Sequence, residues 1–190
     1  MKNLSRAGIL LAGTVLAGMA VGGARQQKPK GQVQVATVAA QPVDVSSIEA
    51  IVKADYECIS GGVGVSRQWA RDFSLYDSHG RFFSPHKDEK TGALAVQHPS
   101  LQEYTDATDA EFVSGGFSEY EVAHKIYQYG NVATVFSSYE GKMASTGKLV
   151  SRGVNIYQLY FAGGRWWISS VSWDDEKPIN DIPPELAGKK

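Results

Sequence analysis

Four strand-length runs fill the second half of the chain, at 121–127, 132–139, 154–161 and 166–173, and each is rich in Val, Ile, Tyr, Phe and Trp. Gly130-Asn131 and Gly163-Gly164 stand between them as tight-turn pairs, and 141–148 supplies a longer hairpin loop. The first half follows a helical period instead. Ser46 and Glu49 have capping-box spacing, and Ile48, Ile51, Val52, Tyr56 and Ile59 then recur on one helical face until Gly61-Gly62 stops it. Ser66 can cap a second, shorter helix carrying Trp69, Ala70, Phe73 and Tyr76. Ser100 and Glu103 repeat the capping box ahead of Leu101, Tyr104, Thr108 and Phe112. After a turn at Asp77 to Gly80, Arg81-Phe82-Phe83 reads as one more short strand. Helices followed by an antiparallel meander predict an α+β fold, three helices packed on one face of a curved antiparallel sheet.

Both ends of the chain read as lying outside that unit. Lys2 and Arg6, the apolar run from Ala7 to Val21 and the small residues Gly22-Gly23-Ala24 have the three parts of an export signal, so 1–24 is predicted to be a signal peptide. The run is short for a permanent membrane anchor, and the mature protein is expected to be secreted or periplasmic, without stable membrane insertion. Residues 25–42 read as a flexible linker, 43–182 as the folded domain and 183–190 as a tail. With 19 basic and 20 acidic residues the chain lacks the basic excess of a nucleic-acid binder. Its single cysteine, Cys58, excludes an internal disulfide and any thiolate zinc cluster.

Several motifs carry a resemblance. Arg71-Asp72-Phe73, Leu75-Tyr76, Gly80-Arg81-Phe82, Tyr129-Gly130-Asn131-Val132-Ala133, Phe136-Ser137-Ser138-Tyr139-Glu140, Arg152-Gly153-Val154-Asn155, Gly164-Arg165-Trp166-Trp167-Ile168 and Trp173-Asp174-Asp175-Glu176 resemble the NTF2-like superfamily. The branch is the SnoaL-like and ketosteroid isomerase-like one, with many uncharacterised bacterial proteins. The resemblance spans nearly the whole domain. Gln68 departs from it, standing before Trp69 where that branch would carry an aspartate. The resemblance implies a cone-shaped fold with a conical, aromatic-lined pocket between helices and sheet. It also implies either cofactor-free acid–base chemistry (isomerisation, cyclisation or dehydration) or plain binding of a small hydrophobic or carbonyl-containing molecule. A homodimer through the open sheet face is the third expectation.

The candidate residues follow from that picture. Trp69, Phe73, Phe83, Tyr157 and Trp173, with Tyr56, are expected near the pocket, or else simply fill the core. His124 lies inside a predicted strand with Val122 and Ile126 on its face. It is either a general acid or base or a histidine bonded within the sheet. Asp72 and Asp174 are its expected carboxylate partners, and Tyr56 an expected donor to a developing oxyanion. Their alternatives are a solvated Asp72 near Arg67 and Arg71, and a solvated acidic cluster at Asp174. Arg152 and Asn155 could orient an anionic or carbonyl-bearing ligand, or hold a turn. His79, His86 and His98 lack metal-ligand spacing, so neither metal nor cofactor is expected. Gly61-Gly62-Val63-Gly64 reads as a helix stop, and Cys58 as inert core.

Overall fold

The computed structural model describes residues 31–88, 91–178 and 180–188. The predicted signal peptide and the first part of the linker lie outside them. The described residues form three helices, α1 (Ile48–Ile59), α2 (Trp69–Leu75) and α3 (Leu101–Gly115), and six strands, β1 (Tyr76–Lys87), β2 (Leu94–Gln97), β3 (Phe117–Tyr129), β4 (Val132–Met143), β5 (Lys148–Ala162) and β6 (Arg165–Asp175), with β1 and β2 placed before α3 in the chain. The strands form one sheet in the order β2-β1-β6-β5-β4-β3. Among the described residues, no helix is long and apolar enough to cross a membrane.

Local chemistry sets the helix ends. Ser47, not Ser46, caps α1, accepting from the Ala50 backbone N–H at 3.1 Å, while Ser46 donates to the Val43 carbonyl. The one-residue shift follows the chain's entry turn, which spends Ser46 on closing itself. α2 begins at Trp69 with Gln68 at its cap position and no side-chain cap, so Ser66 does not serve. The capping box of Ser100 and Glu103 is present in full. At the far end of α3, Gly116 takes a left-handed φ of 69°, which its missing Cβ permits.

The sheet departs from the expected one at β1. The run of three residues is part of a 12-residue strand, and it pairs with β6 in parallel rather than antiparallel fashion. The residues of the expected turn form a bulge within β1, between Tyr76 and Arg81. β2, absent from the sequence reading, covers the β1 edge. Further bulges fall in β3, β5 and β6. Each adds local bend, which curves the sheet around the helices.

The inner face of the curve and the helices share one apolar core. Ile51, Val52, Tyr56 and Cys58 of α1 meet Val135, Tyr139, Tyr157, Leu159, Ile168 and Val171 of the sheet. A second cluster, Trp69, Phe112, Phe117 and Ile59, closes one end. Arg67, buried beside it, spreads its guanidinium over the carbonyls of Gly62, Val65, Phe112 and Phe117 at 2.7 to 3.3 Å. Those bonds tie the helix-stop loop to the end of α3 and the start of β3.

Single residues of both flanking segments pack on the domain. Val33 donates to Asp106 on α3 at 2.7 Å, and Val33 and Val35 lie against the second cluster. Residues 184–186, in the expected tail, form a short 3-10 turn on the outer face of the sheet. Leu186 is buried there, and its carbonyl accepts from Ser138 at 2.6 Å.

Candidate functional site

Two polar networks sit on the inner side of the sheet, and each begins with a residue of α1. Asp55 and Tyr56 are neighbours in sequence and both are buried.

Asp55 accepts from Tyr76 at 2.6 Å and from Tyr157 at 2.9 Å, one hydroxyl on each carboxylate oxygen. Asp72 of α2, only 3% exposed, adds a third bond to the same group. Burial, and then the charge on Asp55, push the Asp72 carboxyl well above the usual range. Asp72 therefore carries the proton between the two acids, and its Oδ1 has no partner. Asp72 is thus not a solvated carboxylate, and Arg71 is not its partner. Arg71 instead binds Asp44 at 2.8 Å and Glu57 at 2.8 Å.

The second network runs through β3, β4, β5 and α1. Glu119, on the inner face opposite Gly141, has its carboxyl beside Asn155, which donates to it at 3.3 Å. Asn155 also donates to the Tyr56 hydroxyl at 3.1 Å. Tyr56 lies 2.8 Å from the Ser137 hydroxyl, and Ser137 donates to Glu121 at 2.5 Å. Glu121 in turn meets Nδ1 of His124 at 2.6 Å. Burial pushes the Glu119 carboxyl up to about 8, Asn155 pulling it back in part, so the group is largely a neutral acid at pH 7. Burial likewise raises the Tyr56 hydroxyl.

His124 and Glu121 meet because of a bulge. Residues three apart on a regular strand point to opposite faces. The register passes from Glu121 opposite Tyr139 to Ala123 opposite Ser138, so Val122 is extra and both Glu121 and His124 face inward. Val122 leaves His124's face and meets the terminal segment near Gly188. His124 thus has Ile126 beside it, as expected, but not Val122. Its carboxylate partner is Glu121, rather than Asp72 or Asp174.

The remaining candidates divide between inside and outside. Trp173 stands opposite Asn155 on the inner face and packs edge-on to Phe82 and Tyr104, with ring centroids 5.9 and 6.1 Å away. Tyr157 is fully buried beneath Tyr56. Phe83 faces away: it pairs with Ser172, while its neighbour Phe82 enters the core, and its ring meets His98. Phe73 is half-buried and belongs to neither core cluster. Trp69 is core at the closed end, its indole N–H donating to Asp109 at 2.6 Å.

Asp174 bonds to Lys177 and Asn180, and Arg152 to Glu176 at 2.7 Å. Asp174 and Glu176 flank a cavity of about 350 Å³ on the outer face, between the sheet and residues 180–183. That cavity holds none of the buried acids, whose chemistry lies on the opposite side of the sheet. A wider opening of about 480 Å³ lies beside Ile126, between Ser46 to Glu49 of the α1 entry and Trp166. Cys58 is buried, with its thiol pushed up by desolvation, away from thiolate chemistry.

The sequence reading missed Glu119, Glu121, Ser137 and Asp55. For Asp55 a signal was present: it falls four residues after Ile51 and four before Ile59, an acid on the apolar face of a helix. Glu121 was hidden by the bulge, which no alternation pattern announces.

No family model matches the chain, and none of the curated proteins matches it significantly. Solved structures do. A Nostoc punctiforme protein of unknown function with a cystatin-like fold aligns at a TM-score of 0.52 and 11% identity, covering 74% of this chain and 97% of its own. An NTF2-like protein of unknown function from Methylobacillus flagellatus aligns at 0.45 and 14% identity, over 69% of this chain and 95% of its own. Another from Shewanella baltica gives 0.45 and 14%, over 68% and 90%. With three helices laid on a bent, mostly antiparallel sheet, the chain shares the cystatin-like fold of the Nostoc punctiforme protein.

Proposed function

We propose that this domain is exported and holds a small hydrophobic molecule with a carbonyl group inside the cone. Catalysis there would be cofactor-free proton transfer, as in isomerisation, cyclisation or dehydration. One arrangement carries the reading: the Glu119 carboxyl, bonded by the same Asn155 amide that holds the Tyr56 hydroxyl on an aromatic inner face, is pushed up to about 8 by desolvation. A neutral carboxyl can donate to a carbonyl oxygen, and the donation strengthens as that oxygen gains negative charge. Asn155 is held from one side by Tyr56 and Glu119, and Trp173, Tyr104 and Phe82 supply apolar surface next to it. Fold likeness by itself does not assign chemistry, so the proposal rests on that group.

The test compares 1-tetralone with tetralin, the same rings without the carbonyl, by quenching of tryptophan fluorescence. Tetralone is expected to bind more tightly, and its affinity to fall as pH rises through about 8, where Glu119 loses its proton. Glu119→Gln keeps a donor and removes the titration, so its affinity should not change with pH. Equal binding of the two probes, or a flat profile in the wild type, overturns the proposal. Export is tested separately, by N-terminal sequencing of protein recovered outside the cytoplasm.

A second reading, a homodimer through the outer sheet face, is favoured by the exposure there of Tyr127, Tyr129 and Val132. Light scattering of the purified domain decides it. A monomer at micromolar concentration rejects it.

A further inference from the structure

We propose that Tyr56, Ser137 and Glu121 form a proton relay leading out of the cone, with His124 as the positioning residue at its outer end. The proposal rests on reading the cone as an acid–base site and names the base that such a site needs.

The direction of the relay follows from counting protons. A serine hydroxyl has one proton, and Ser137 gives it to Glu121 Oε2 at 2.5 Å. Across the 2.8 Å contact with Tyr56, Ser137 must therefore accept, so Tyr56 donates. The tyrosine oxygen accepts from Asn155, whose amide can only donate through that nitrogen. Every O–H in the chain thus points from the interior towards Glu121. Tyr56 offers the interior an acceptor oxygen, not the donor expected from sequence. The donor role belongs to Glu119.

The transfer balances without any further reagent. A ligand O–H or acidic C–H beside Tyr56 gives its proton to the tyrosine oxygen and keeps the electron pair. The proton of Tyr56 moves to Ser137, and that of Ser137 to Glu121 Oε2. The ligand becomes an anion facing the proton of Glu119, and Glu121 becomes a neutral carboxyl. The outer end is reachable by water, with side-chain exposure of 27% for Glu121 and 37% for His124. His124 holds Glu121 Oε1 at 2.6 Å, which leaves Oε2 turned to Ser137. The bulge at Val122 makes this possible by placing both residues on the inner face of one strand.

The relay is tested in the full chain without ligand, using tyrosine labelled with ¹³C at Cζ and the deuterium isotope shift to time hydroxyl exchange. Tyr56→Phe assigns the signal, and Tyr157, which donates to Asp55 outside the relay, is the internal control. Glu121→Gln can still accept from Ser137 but takes up no proton. It should slow exchange at Tyr56 on the order of tenfold or more and leave Tyr157 unchanged. Ser137→Ala should do the same, and if it does not fold, Glu121→Gln decides alone. An unchanged Tyr56 rate in Glu121→Gln, or equal slowing at Tyr157, overturns the relay. Because no ligand is present, this outcome is independent of the tetralone experiment.

Discussion

Asp72 donates its carboxyl proton to Asp55 in the dry space between α1, α2 and the sheet, where Tyr76 and Tyr157 also donate to Asp55. Burial raises the Asp55 carboxyl while its three donors hold it down, whereas burial and the Asp55 charge together push Asp72 well above the usual range, so the shared proton sits on Asp72. Replacing Asp72 by Asn should preserve the donor and remove the titration. Its urea midpoint should match the wild type in acid and exceed it in alkali. Asp55→Ala, in contrast, strands two buried tyrosine hydroxyls and should cost about 3 kcal/mol.

Glu119 makes stability depend on pH in the same direction. Its carboxyl titrates near 4.5 when exposed and near 8 in the fold, so the folded state binds more protons than the unfolded chain between those values. Its stabilising contribution is complete below about 4.5 and is lost as pH rises through about 8. Urea unfolding across that window should show a falling midpoint, and Glu119→Gln should flatten the slope.

Gly153 is the one position on β5 where the Tyr139 ring crosses to reach Asp175, to which it donates at 2.7 Å. A Cβ there would lie 2.3 Å from the Asp174 carbonyl and 2.7 Å from the Tyr139 hydroxyl. Since the first contact is backbone, the strand itself must move. Gly153→Ala is expected to cost about 2 kcal/mol in chemical denaturation, within the range for an overpacked core.

Arg67→Lys tests whether the guanidinium fork or its charge matters. Lysine cannot span four carbonyls arranged around one planar group. A loss of about 2 kcal/mol in thermal or urea unfolding is expected, as for a buried charged group losing hydrogen bonds.

Leu186 reports whether the terminal turn belongs to the fold. Buried on the outer sheet face, it should cost about 2 to 3 kcal/mol when cut to alanine. A change below about 0.5 kcal/mol, the scale of ordinary surface positions, would show that the segment is only loosely attached.

Sequence alone determined the helices and hairpins, because period, caps and glycine turns act within a few residues of one another. Ser100 with Glu103, and the turns at Gly130-Asn131 and Gly163-Gly164, needed nothing distant to be read. The parallel pairing of β1 with β6 joins residues about 90 apart, and no local pattern encodes such a partner. The site was decided in the same way. Tyr56 and Asn155 were legible as candidate polar groups, but their neighbours Glu119, Ser137 and Glu121 arrive from other strands. A single extra residue at Val122 turned His124 towards Glu121, and burial, which only the closed core supplies, left Glu119 holding a proton at neutral pH.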